Sequence, residues 1–317
     1  MASPQAQAMK DRYHGWIDTM AKNPDLGLVA NRDLSEHWGD LTTNPGGVDY
    51  LEVDAGGVQA MWAIPNGCAE DRVALCTHSV GYVAGLMYSQ RKMFGHIGKA
   101  IGCKAPIVHF RGAPEHLHPA PVEDAVSVYR WLLKQGYKAE HVCTTGGSAG
   151  GALSTTVLLA ARDKDLPLPV AALSMSPWYD MECKGELLKT NAAKDCLANE
   201  AMVKNMAATF LGNASTIDPL ANALKAGLKG RPPICIQVGG EEALLDDSLP
   251  IEKLARAAGV DIRCDVYPEM QHVFQLMAGG APETDEAIGG TAAWVKPKLG
   301  LKRWPNTLTE TLEKASR

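Results

Sequence analysis

From about residue 70 onward, short runs of apolar and β-branched residues alternate with longer stretches of helical periodicity. This alternation constrains the fold more than any other feature. Runs that are apolar at nearly every position need cover on both faces, and the helical stretches between them can supply it. Strands are predicted over 73–78, 106–110, 142–146, 170–176, 234–239 and 262–267, with helices over 88–101, 121–135, 149–162, 248–258 and 283–296. Ahead of these, 48–53 and 58–64 flank Gly56-Gly57 and read as an antiparallel hairpin at the sheet edge. The expectation is an α/β protein with a mostly parallel sheet of eight strands and helices on both faces.

Two segments stand outside the alternation. Residues 1 to about 45 and about 180–228 are rich in Ala, Leu, Met and Lys and carry no strand signal. Such insertions usually stand over the carboxyl ends of the strands, where α/β sheets bind ligands, so they are assigned to a helical cap; surface helices covering an edge are the alternative. No repeat or low-complexity linker divides the chain, so a single domain over 1–317 is preferred to two. A content of 46% hydrophobic and 21% charged residues is that of an ordinary globular protein, which excludes disorder and coiled coil. The net charge of −5, with Lys and Arg scattered, leaves no footprint for nucleic acid or anionic lipid. Residues 1–20 are polar and carry Lys10, Asp11 and Arg12, unlike a signal peptide or anchor, and no apolar run approaches a membrane span. Eight dispersed cysteines with no CxxC read as buried thiols of a cytoplasmic protein rather than a disulfide framework or zinc site.

The chemistry starts at Gly146-Gly147-Ser148-Ala149-Gly150, a GxSxG pattern between a predicted strand and a predicted helix. A serine nucleophile on a sharp strand-to-helix turn needs small neighbours, because the turn is strained and other backbone passes close by. The helix start also sets N–H groups near a developing oxyanion. A serine hydroxyl needs a base, and His272 lies just beyond the last predicted strand, on the carboxyl side where Ser148 sits. His78 and His109 are assigned to strands, and His116 and His118 to a proline-flanked loop. The carboxylate that orients the base should follow strand 234–239, where Glu241, Glu242, Asp246 and Asp247 compete for the role. Acids there could equally favour a helix N-terminus.

Three stretches together resemble the bacterial hormone-sensitive-lipase-like esterases of the α/β-hydrolase fold. They are the box around Ser148, the run Phe110-Arg111-Gly112-Ala113-Pro114-Glu115-His116 with Val122-Glu123-Asp124-Ala125, and Gly239 through His272-Val273-Phe274. The resemblance, spanning about 73–274, implies an α/β-hydrolase fold with a cap and a catalytic Ser148, Glu242 and His272, with Asp246 as the reserve acid. It implies an oxyanion hole from the backbone N–H groups of Val80, Gly81 and Ala149, and substrate contacts from Ser79, Tyr82, Trp178 and Val273. It implies no cofactor and no metal. Two departures stand out. The family's His-Gly-Gly-Gly loop is here His78-Ser79-Val80-Gly81-Tyr82, and Gly147 replaces the family's usual Asp before the serine. A β-branched valine does not readily take glycine conformations, so either the loop is rearranged or the Ser79 hydroxyl adds a donor.

The function implied is hydrolysis of an apolar carboxylic ester or lactone through an acyl-enzyme on Ser148. The resemblance extends to bacterial lactonases that open bulky macrolactones such as zearalenone. A non-catalytic small-molecule receptor on the same fold is the alternative, although such receptors generally lose the histidine retained here. Trp16, Met20, Trp38, Met202, Met206 and Phe210 are candidates for an apolar pocket under the cap, against the reading of ordinary packing. Relatives pair through the last strand, so a homodimer along 262–267 is expected.

Overall fold

The computed structural model describes residues 2–302; Met1 of the expected cap and residues 303–317 of the expected domain lie outside the described residues. The strands are β1 Val48–Asp54, β2 Gln59–Pro65, β3 Ala69–Thr77, β4 Cys103–Val108, β5 Val142–Gly147, β6 Ala171–Met175, β7 Ile234–Gly239 and β8 Ile262–Tyr267. They form one sheet in the order β1-β2-β4-β3-β5-β6-β7-β8. The hairpin β1–β2 and the pair β2–β4 are antiparallel, and every other pairing is parallel. The burial explains the sequence pattern. Every residue of β5, β6 and β7 is buried, whereas no residue of edge strand β1 is.

The helices are α1 Pro4–Lys22, α2 Leu28–Glu36, α3 Met87–Ile101, α4 Ala120–Lys134, α5 Ala149–Asp163, α6 Leu187–Thr190, α7 Glu200–Leu211, α8 Leu245–Ala257 and α9 Pro282–Val295. One core joins the sheet to α3, α9 and the buried stripe of α1, through Phe94, Ile97, Ile288, Met9 and Tyr13. The opposite core joins it to α4, α5 and α7, through Val126, Leu132, Leu153, Val157 and Phe210. A smaller cluster around Ile251 and Ala255 seats α8. Among the described residues no helix is long and apolar enough to cross a membrane.

Three details differ from the sequence reading. His78 and His109 lie just past the ends of β3 and β4, in loops at the carboxyl edge. Helix α8 begins at Leu245 rather than 248, because Asp246 and Asp247 sit in its first turn, where carboxylates complement the helix dipole. The segment 180–228 is only partly helical: beside α6 and α7 it has a single turn of 3-10 helix, Ala223–Lys225. Its acids explain this, since short polar side chains that bond nearby N–H groups compete with a helix. Asp180 accepts from Glu182 N and Lys184 N, Asp195 from Leu197 N and Ala198 N, and Asp218 from Leu220 N.

Candidate active site

Ser148 links β5 to α5 with φ 54° and ψ −120°, a conformation L-residues rarely take. Hydrogen bonds hold it there: its N–H donates to Met175 O at 2.9 Å, and its carbonyl accepts from Trp178 N at 3.1 Å and Ala152 N at 3.0 Å. The small neighbours are required by space. A Cβ on Gly147 would come 2.7 Å from Ser79 Oγ and 2.9 Å from Val273 Cγ1, and one on Gly151 would come 3.0 Å from Met175 O. These contacts bring the loops carrying Ser148, His272 and Ser79 to one place. Among the described residues the Ser148 hydroxyl has no hydrogen-bond partner, and neither do the N–H groups of Val80, Gly81 and Ala149. Ser148 and His272 are therefore adjacent through their sequence neighbours but not joined by a hydrogen bond, a separation that catalytic pairs often show without substrate.

His272 and Glu242 do meet. The imidazole Nδ1 lies 2.8 Å from Glu242 Oε2, and both side chains are buried. The other carboxylate oxygen accepts from Ser176 Oγ at 2.6 Å and Gly239 N at 2.5 Å. With its carboxylate so occupied, Glu242 leaves His272 Nδ1 to carry the proton and Nε2 to accept one. Burial alone pushes the imidazole pKa down, but the charge and hydrogen bond of Glu242, with the more distant charges of Asp195 and Asp247, outweigh it, and the net shift is upward. The competing acids have other partners. Asp246 accepts from Leu187 N at 2.7 Å, Glu241 from Gln271 Nε2 at 2.7 Å, and Asp247 from Tyr179 N and Asp180 N. Burial pushes the Asp247 carboxyl up to about 7.

Backbone φ is positive at Val80 (81°), Gly81 (63°) and Tyr82 (63°), so valine does take the left-handed conformation that its branching disfavours. The loop is held from behind. Val80 O accepts from Val83 N and Ala84 N, each at 3.2 Å, and Gln90 Oε1 accepts from Ser79 N at 3.1 Å and Ser79 Oγ at 3.2 Å. The Ser79 hydroxyl is buried and, in this arrangement, donates to Gln90. His78 is stacked on Phe110 with centroids 4.0 Å apart, and burial lowers its pKa to about 3, so it is neutral.

Tyr82 stacks on Phe210 of α7 at 3.9 Å and lies 6.0 Å from Trp178, while the Met206 sulfur sits directly against Gly81. Met206 and Phe210, two of the candidates for an apolar pocket, therefore pack against the loop of Val80, Gly81 and Tyr82. Trp16 and Trp38 do not: they stack on each other at 5.6 Å within the core. A cavity of about 570 Å³ opens on the β4 side of the loop, lined by Arg32, His78, Tyr82, Val83, Phe110 and Glu115 among others. The sequence reading missed Ser176, Gln90, Asp195 and Tyr13. Ser176 follows β6 at the carboxyl edge and was findable by position; the others carry no local signal.

A family profile described as alpha/beta hydrolase fold matches residues 74–276. A crystal structure of an esterase from the bacterial hormone-sensitive lipase family superposes with a TM-score of 0.89 at 39% identity, covering 95% of this chain and 100% of that one. The chain belongs to this α/β-hydrolase esterase family. Among its relatives is an acetyl-hydrolase of Streptomyces hygroscopicus, 34% identical over 95% of this chain and 99% of that protein. An esterase/lipase from an uncultured bacterium superposes with a TM-score of 0.87 at 34% identity, over 94% of this chain and 100% of that one. The family membership makes the protein a carboxylic ester hydrolase.

Proposed function

We propose that this ester hydrolase works through an acyl-enzyme on Ser148, with His272 as general base and acid and Glu242 as the carboxylate that orients it. The observation that carries the reading is the buried His272–Glu242 pair at 2.8 Å, one residue from Val273, which packs against the glycine preceding Ser148. Ser148 Oγ attacks the ester carbonyl while His272 Nε2 takes its proton, and Glu242 stabilises the imidazolium that forms. The free N–H groups of Val80, Gly81 and Ala149 receive the oxyanion. As the tetrahedral intermediate collapses, the carbon–oxygen bond to the alcohol breaks and the alcohol leaves with the proton from His272. Water then attacks the acyl-serine, giving its proton to His272, and Ser148 is restored as the carboxylic acid departs.

We take the acyl group to be small. Met206 closes on Gly81, and Tyr82, Phe210 and Trp178 are packed together, which supports an acetyl-sized acyl site. The acetyl-hydrolase among the relatives supports the same reading. A bulky macrolactone such as zearalenone is the second reading, favoured by the cavity of about 570 Å³ beside Tyr82. The retained His272–Glu242 pair speaks against a non-catalytic receptor. We further read residues up to about 45 and about 180–228 as a cap over this site, two copies as pairing through β8, and the eight free cysteines as those of a cytoplasmic protein. The test is product mass after incubation with short esters, amides and bulky lactones. Two fragments from acetyl esters, lost in Ser148→Ala, are expected; a single product heavier by one water, from a lactone alone, favours the second reading. Turnover unchanged in Ser148→Ala overturns the acyl-enzyme.

A further inference from the structure

We propose that the N-terminal helix α1 is a positioning element for the catalytic histidine, acting chiefly through Tyr13; the inference rests on the Ser148–His272–Glu242 reading above. The buried residues of α1 are Ala6, Met9, Tyr13 and Trp16, a single stripe on one face of the helix. Tyr13 is fully buried, and its hydroxyl donates at 2.8 Å to the backbone carbonyl of His272. No other group among the described residues donates to that carbonyl. The next N–H, on Val273, donates at 2.9 Å to Ser176 Oγ, whose proton goes to Glu242. The peptide that leaves His272 is therefore clamped at both polar atoms by side chains, one from α1 and one from the end of β6. Val273 sits at φ 49°, a conformation that persists in a valine only where the surroundings hold it.

Lys10, one turn before Tyr13 on the helix, gives a second grip. Its Nζ lies 2.6 Å from Glu241, which accepts from Gln271 at 2.7 Å. The residues immediately before Glu242 and immediately before His272 are thus tied to each other and to α1. Gln271 also bonds Cys196 N at 2.8 Å and Lys194 O at 3.0 Å, so the second inserted segment joins the same assembly. Neither Tyr13 nor Lys10 bonds the imidazole or the Glu242 carboxylate. Both act through backbone and neighbouring side chains. The tyrosine hydroxyl is separable from packing, since the contacts of the ring with Trp16 at 5.4 Å and Trp38 at 5.8 Å would survive in phenylalanine. Burial and the charges of Glu242 and Asp195 push the phenol pKa well up, so the donor keeps its proton across the working range.

The experiment compares Tyr13→Phe, Lys10→Met and, as a packing control, Met9→Ala in the full chain. Kinetics on an acetyl ester are followed as a function of pH, and the low-field proton NMR signal of the imidazole is recorded. Displacing a catalytic group by about 1 Å can cost roughly 100-fold in rate, so Tyr13→Phe is expected to lower kcat at least about tenfold, with KM held within about twofold. Its acid limb should move to lower pH as the Glu242 contact loosens, and the imidazole signal should shift. Lys10→Met should lower kcat about threefold in the same direction. Met9→Ala should lower the melting temperature while leaving the acid limb and the imidazole signal in place. If Tyr13→Phe changes only the melting temperature, as Met9→Ala does, the proposal is overturned. If Tyr13→Phe does not fold, Lys10→Met decides: an unchanged kcat and imidazole signal overturn it. Wild type that cleaves no ester would count against the catalytic reading alone, and the imidazole signal would still decide whether α1 holds His272.

Discussion

Replacing Gly147 by alanine tests whether the two departures from the family pattern are one compensated change. The added Cβ would lie 2.7 Å from Ser79 Oγ and 2.9 Å from Val273 Cγ1, both closer than real contacts allow. Ser79 Oγ thus occupies space that a side chain at 147 would need, which explains why serine in the loop goes with glycine before the nucleophile. Neither neighbour yields freely: Ser79 is bonded to Gln90, and Val273 follows His272 in a strained conformation. Overpacking of this kind costs about 1–3 kcal/mol, and a melting shift of about 2–4 °C accompanies each kcal/mol in a somewhat smaller domain. Motion of Val273 carries His272 with it, so kcat should fall about 10- to 100-fold. Ser79→Ala removes one of the two collisions at the expense of one hydrogen bond, worth about 0.5–1.5 kcal/mol. In that background Gly147→Ala should cost less, with a favourable coupling of at least about 0.5 kcal/mol by denaturant unfolding of all four proteins. Effects that add without coupling would refute the shared-space reasoning.

Other expectations follow from the same geometry. Glu242→Gln should lower kcat by about 10⁴-fold, the size seen when a serine protease's orienting acid becomes its amide: Gly239 N–H must keep an acceptor, so the amide NH₂ turns to His272 and forces the tautomer that cannot take the serine proton. A fall under tenfold in a folded variant would remove Glu242 from the role. Because the His272 pKa is raised, the acid limb of kcat/KM should lie above the ordinary imidazole value of about 6.5, whereas a limb below it would contradict the pairing. The stability from that pair should run the other way, complete below about 6.5 and lost as pH rises through the raised value, so thermal melts across this window should fall as activity rises. Val266, 42% exposed on edge strand β8, should lie in a dimer contact, and Val266→Asp should halve the mass by light scattering; a monomeric wild type at micromolar concentration would remove the dimer.

How far the sequence could be read depends on whether each determinant was local. Strands β7 and β8 match their predicted bounds because both are punctuated locally: β7 is an apolar run between Pro233 and Gly240, and β8, which carries Arg263 and Asp265 among β-formers, lies between the Gly259 turn and Pro268. Ser148 was legible for the same reason, since its strand, its small neighbours and its helix are contiguous. The acid was not. Glu241, Glu242, Asp246 and Asp247 lie within one loop and helix start, and their physical chemistry alone does not say which meets an imidazole. The folded chain separates them physically, by giving each a different distant partner: Lys10 and Gln271, His272, the start of α6, and the loop after β6. The inserted segments were harder still, because their contribution is made through single side chains reaching backbone elsewhere, such as Tyr13 to His272 and Asp195 to Ala243 N at 2.7 Å. A tyrosine or aspartate in such a segment looks like any other. Both contacts tie an inserted segment to a loop that carries the buried pair, so a substitution that displaces either segment is expected to disturb the His272–Glu242 contact as well.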